Sequence, residues 1–215
     1  MKHLRLATIL TGLLIFFNST TPAVLSEPEK PKPKLLPVPI VRQATPYSCG
    51  AAALQAALLY WQISTDGEEA LHAPLQTDKE NGTHPRSILK LAQNLGLKAD
   101  LKNQTSIKEI EDAIDRKEPV IVDYQAWGGA ETKDYTDIWD SGHYGVVVGY
   151  DKTHLFLMDP LLPSSYGKLE RQDFERRWHD VETRFGKFEY FIRSAIFISG
   201  NESLKSFPAE IKSID

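Results

Sequence analysis

The sequence predicts an α+β domain in which a buried helix near the N-terminus carries the chain's single cysteine and packs against an antiparallel β-sheet. Three stretches lead to that expectation. Cys49 to Trp61 is apolar on nearly every side, the pattern of a helix enclosed by its neighbours. Val120 to Tyr124 is rich in β-branched residues, as a central strand is. His143 to Tyr150 and Leu155 to Pro160 flank the turn residues Asp151, Lys152 and Thr153 and read as a β-hairpin.

The remaining elements follow in order. Lys2, His3 and Arg5 precede an apolar run of about 12 residues from Leu6 to Phe17, the form of a secretory signal and too short to span a membrane comfortably. Val24 and Ser26 suit cleavage before Glu27, and no cysteine stands there to take a lipid. Residues 1–26 are therefore read as a signal peptide and the mature chain as secreted or periplasmic, with an uncleaved anchor as the alternative. From Glu27 to Pro39, Pro alternates with Lys and Glu, a composition suited to an extended linker. Val38 to Val41 regains β character and leads Gln43 into the Thr45-Pro46-Tyr47-Ser48 turn, where Ser48 is the expected N-cap of the cysteine helix. Thr65 to Gly82 reads as a loop with one helical turn near Glu68 to His72, and no chemistry is assigned to it.

Pro85 at a helix start and Gly96 at its stop bracket an amphipathic helix over about 85–95. Ser106 and Glu109 form a capping box for a second, with Ile107, Ile110, Ala113 and Ile114 on one face. Pro119 ends that helix before the Val120 strand. Another helix is expected from Glu170 to about Trp178 and one last strand from Phe188 to Ile198. The domain is thus placed at 40–200, with 201–215 as a polar tail.

The 215 residues are 41% hydrophobic and 25% charged, enough for one domain with a full core. A net charge of -4, with no basic block, argues against nucleic acid as a partner. In an exported chain a lone cysteine cannot form an internal disulfide and needs another role or a buried, inert place. Cys49 opens a helix, and the unpaired N–H groups of a helix start lower a thiol's pKa and favour the thiolate. Across a hairpin turned near residue 152, His143 at the start of one strand and Asp159 at the end of the next come within reach of each other. Thiol catalysis needs a thiolate, an imidazole, a group that orients the imidazole, and oxyanion donors. Cys49, His143, Asp159 and Gln43 are the candidates for those four roles. His72, His84, His154 and His179 lack metal-ligand spacing and are read as surface or incidental; no metal or organic cofactor is expected.

With those residues in hand, the chain resembles the papain-like fold and, within it, the peptidase C39 family and its C39-like relatives. The resemblance rests on Gln43 six residues before Cys49-Gly50, on His143 opening a strand, and on Asp159-Pro160 ending the next. It also takes in Pro119 to Val122 and Asp173-Phe174 to Trp178, and so spans roughly Val38 to Ile198. It implies a papain-like fold and a cysteine peptidase acting on a peptide or protein substrate through the Cys-His-Asp triad. The chain shows no transporter segments, so the double-glycine leader substrate of the bacteriocin-processing members is not carried over. A non-catalytic envelope binding module and a peptidyl or acyl transferase are the alternatives.

Overall fold

The computed structural model describes residues 33–128, 134–184 and 186–214. The signal segment and most of the expected linker lie outside the described residues. Elements run β1 (Lys34–Leu35), α1 (Cys49–Tyr60), a 3-10 turn (Glu69–Leu71), α2 (His72–Leu75), α3 (Pro85–Asn94), β2 (Lys98–Lys102), α4 (Ile107–Asp115), β3 (Val120–Gln125) and β4 (Gly142–Tyr150). They continue with β5 (His154–Met158), β6 (Ser165–Glu170), α5 (Arg171–Arg177), β7 (His179–Arg184), β8 (Lys187–Ile192), β9 (Ala195–Ser199) and β10 (Glu210–Ser213).

The main sheet has the order β10-β6-β5-β4-β3-β9-β2, with β1 paired to the far end of β4 and β7-β8 forming a separate hairpin. All its pairings are antiparallel except β10 with β6. β3 is buried at all six positions between β4 and β9, as its β-branched content predicts. The β4-β5 hairpin turns at Asp151, whose carboxylate accepts from the N–H groups of Thr153 and His154. Its register sets Val146 opposite Met158, so Asp159 lies just past the end of the ladder beside the first residues of β4.

α1 lies in the core: Leu54, Leu58 and all its alanines are fully buried. Gly50 is required by close packing, because a Cβ there would stand 2.7 Å from Thr83 Cβ and 3.1 Å from the Tyr144 ring. α4 carries the predicted capping box in full, with Ser106 Oγ on the Glu109 N–H and the Glu109 carboxylate on the Ser106 N–H. α3 is capped by His84 Nδ1, which accepts from Arg86 N.

Several expectations need correction. Ser48 precedes α1 but does not cap it; its hydroxyl turns back to Thr45, accepting from the amide N–H and donating to the carbonyl. Strand pairing falls at Lys34–Leu35 rather than Val38–Val41, and Leu36 and Val38 are core residues, so the stretch read as linker through Pro39 enters the fold from Lys34. The single strand expected over Phe188 to Ile198 is two. Arg193 at φ 48° breaks the run, sending β8 to β7 and β9 into the main sheet. β10, inside the polar stretch after Gly200, pairs with β6. His84 and His179 are buried, not surface residues.

Leu54→Ala is expected to destabilise the protein by about 2–5 kcal/mol through an unfilled cavity, and Ser106→Ala by only about 1 kcal/mol through the lost cap. Urea unfolding of the two variants checks that order.

Candidate active site

Four segments meet at Cys49. α1 brings the thiol on its first residue, the start of β4 brings His143, the end of β5 brings Asp159, and the turn before α1 brings Gln43. His143 and Asp159 are almost fully buried, whereas Cys49 is partly exposed. His143 Nε2 meets Asp159 Oδ1 at 2.9 Å. That leaves Nδ1 as the nitrogen for the thiol, and its contact with Cys49 falls short of a fully formed hydrogen bond. Such contacts commonly tighten only when substrate is bound.

Asp159 is itself held. Its Oδ1 also accepts from the Leu161 N–H at 2.8 Å, and its Oδ2 from the Tyr124 hydroxyl at 2.8 Å. With the carboxylate satisfied on both oxygens, the imidazole it faces is fixed in orientation. The Tyr124 ring also meets the imidazole edge to face at 5.7 Å, and Trp127 lies over it at 4.9 Å. Trp127 is 46% exposed, so one of its sides faces solvent while the other covers His143. Sequence reading missed both aromatics. Tyr124 is the last but one residue of β3 and Trp127 follows that strand, positions that only gain meaning once β3 is known to pair Tyr124 with His143.

The three groups set one another's charge. Burial pushes the Cys49 thiol up, but the hydrogen bond and charge of His143, with the N–H groups of Tyr144 and Gly50, outweigh it and bring the thiol below its ordinary value. Burial pushes the His143 imidazolium down, yet Asp159 and Cys49 on either side raise it to about 10. Burial likewise pushes the Asp159 carboxyl up, and His143, Leu161 and Tyr124 hold it below the usual carboxylate value. Both the lowered thiol and the raised imidazole favour a thiolate–imidazolium pair braced by a carboxylate.

Gln43 is buried in the turn before Cys49. Its Nε2 donates to Thr45 O at 2.7 Å, while its Oε1 has no hydrogen-bond partner. The Gln43 N–H donates to Pro160 O at 3.2 Å, which ties this turn to the residue after Asp159. Among the described residues these bonds run to Thr45 and Pro160 and none to Cys49, so the first duty of Gln43 here is to shape the turn.

Cys49 opens onto a cavity of about 330 Å3 whose walls include Tyr47, Glu80, Asn81, Trp139 and Asp140. The loop through Glu80, to which the sequence assigned no chemistry, is therefore one wall of the cleft, and Asp140 is on another. Among the described residues one group could hold a cation: Asp123, Asp180 and Glu182, each offering an oxygen within 4.8 Å of the others.

A sequence model of the Peptidase_C39 like family matches residues 35–184. Among solved structures, the chain is similar to a C39-like peptidase from Bacillus anthracis (TM-score 0.61, 20% identity, covering 80% of this chain and 100% of that one). It is also similar to a double glycine motif protease from an AMS/PCAT transporter in complex with the leader peptide (0.54, 19%, 79% and 98%). A third match is the peptidase domain of Streptococcus ComA (0.53, 22%, 75% and 97%). At these identities the likeness shows the fold, a C39 peptidase domain of the papain-like class. A search of curated proteins finds no match.

Alkylation of Cys49 by iodoacetamide is expected to continue below the ordinary thiol range, fading as pH falls through the lowered Cys49 pKa. His143→Ala removes the charge that lowers it and is expected to move that midpoint upward. Rates measured from pH 4 to 10 on both proteins decide the point.

Proposed function

Because the chain belongs to the Peptidase_C39 like family, we propose that it is a thiol hydrolase cleaving peptide or amide bonds through Cys49, His143 and Asp159. The observation that carries this reading is His143 held between the other two, with Asp159 on Nε2 and Nδ1 left for the thiol. An imidazole so placed can hold a proton for the leaving group while the sulfur stays anionic.

In this reading the Cys49 thiolate attacks the scissile carbonyl carbon, and the carbonyl π pair moves onto oxygen. The Cys49 N–H, at the first turn of α1, is one donor to that oxyanion. Gln43 keeps one amide N–H on Thr45 and turns the other toward the oxygen. As the carbon–nitrogen bond breaks, His143 passes its proton to the amine and the acyl group remains as a thioester on Cys49. Water then attacks the thioester, His143 takes one of its protons, and the carboxylic acid leaves with the thiolate restored. Asp159 keeps the imidazole in one tautomer and offsets its charge throughout.

A peptide is the substrate class that best suits an open cleft of this kind, and a relative of the same fold is bound to a leader peptide. The basic start and short apolar run of the N-terminus support a working place outside the cytoplasm.

Incubation of the protein with a mixture of unstructured peptides, read by mass spectrometry, is expected to give new termini with wild type and none with Cys49→Ala. His143→Ala is expected to lower kcat/KM by about a thousandfold or more, and Gln43→Ala to lower kcat by about 100-fold. With a peptide so identified, kcat/KM should rise as Cys49 ionises and fall again as His143 loses its proton at about 10. Cleavage by Cys49→Ala at the wild-type rate would overturn the assignment.

A further inference from the structure

The wall of the Cys49 cleft carries charges that the triad does not use. Glu80, Asp140, Asp180 and Glu182 line it against a single lysine, Lys79, so its lining is net negative by three. Asp180 and Glu182 stand two apart on β7 and so share one side of that strand. Behind them is Asp123 on β3, directly opposite Tyr144 on β4, and one oxygen from each of the three acids lies within 4.8 Å of the others. Gly142, the residue before His143, makes the approach possible: a Cβ there would stand 2.1 Å from Asp180 Oδ2. The acids therefore abut the strand that presents the imidazole.

Two polar groups at this place are buried and unsatisfied. Tyr144, 4% exposed, lines the cleft, and its hydroxyl has no hydrogen-bond partner among the described residues. Asp123, 2% exposed, receives no N–H or hydroxyl donor on either oxygen among the described residues and faces Asp180. Burial and the neighbouring carboxylates accordingly push Asp123 well above the ordinary carboxylate value, and burial pushes Asp180 up. By contrast, Gln125 and the Val181 N–H satisfy Asp180 Oδ1. Buried acceptors without donors mark a place built for a donor that arrives from outside.

We propose that the acidic wall beside Cys49 is a recognition subsite for a primary ammonium group on the substrate, with Asp180 and Glu182 as its direct partners and Asp123 and Tyr144 behind them. This rests on the thiol-hydrolase reading, since the group recognised belongs to the molecule presented to Cys49. An ammonium carries three donors, which carboxylates bind strongly, and the three acids each place one oxygen within 4.8 Å of the others. A resident divalent cation on the same carboxylates is the competing occupant. Continuity of the acids with the thiol in one cavity also favours a group that comes and goes with the substrate.

The test uses charged thiol reagents and needs no turnover. Rates of Cys49 modification by aminoethyl methanethiosulfonate (cationic) and sulfonatoethyl methanethiosulfonate (anionic) are taken as a ratio, so that general changes in thiolate reactivity cancel. The wild-type ratio is expected to exceed that of Asp180→Asn/Glu182→Gln by about tenfold or more, and the excess to shrink in 1 M NaCl. Glu182→Gln alone, at the cleft surface, should give part of the loss and serves if the double variant does not fold by circular dichroism. Equal ratios in wild type and variants, with rapid iodoacetamide labelling retained, overturn the subsite while the hydrolase reading stands. Absence of rapid labelling in the wild type is instead the failure of the hydrolase reading. A ratio that EDTA raises and added calcium or magnesium lowers would show a resident metal in place of a substrate subsite.

Discussion

The buried hydrogen bond between His143 and Asp159 is the constraint on which the rest of this structure turns. An imidazolium is costly to bury, and a lone one would lose its proton. Asp159 reverses that balance because its own charge is spread over the Leu161 N–H, the Tyr124 hydroxyl and His143. A charged His143 then makes the thiolate of Cys49 tolerable in a partly enclosed place, and the thiolate in turn helps keep the imidazole charged. His143 is thus the link through which Asp159 and Cys49 affect each other.

Much of the fold serves to place those three groups. α1 supplies the thiol at the helix end where N–H groups are free, and its alanines and Gly50 let the helix approach β4 closely. The β4-β5 hairpin brings together residues sixteen apart in sequence. β3 runs beside β4 and adds Tyr124 on one face and Asp123 on the other, the first toward the triad and the second toward the acidic wall. Gln125 at the end of β3 ties the strands together: its amide nitrogen donates to the His179 carbonyl and to Asp180, and its oxygen accepts from the Ser141 N–H. The Cys49 site and the acidic wall are thus built on the same strand pair.

The parts of this arrangement that were legible in the sequence are those written in local chemistry. An apolar run after Cys49, a capping box at Ser106 and Glu109, and two β-rich runs around Asp151 each declare themselves within a dozen residues. The hairpin alone was enough to place His143 near Asp159, because antiparallel register is set by the turn. What could not be read depends on partners far away. The β7-β8 hairpin leaves Phe188, Tyr190 and Ile192 exposed, and the run from Phe188 to Ile198 looks continuous until Arg193 turns it. Asp123, Asp180 and Glu182 come from strands more than fifty residues apart, and nothing in their spacing announces that they meet. Ser48 had the right residue type for a cap, but the tighter turn at Thr45 claimed its hydroxyl.

The central claim is that His143 is charged in the folded protein because Asp159 and a Cys49 thiolate flank it. A titration of the His143 imidazole by 15N NMR tests this most directly, with Cys49→Ala as the comparison. The account predicts an imidazolium that persists far above the ordinary histidine range, losing its proton at about 10, and a clear fall in that value when the sulfur is removed. A His143 that titrates near 6.5 in the intact protein, unchanged by Cys49→Ala, would contradict it.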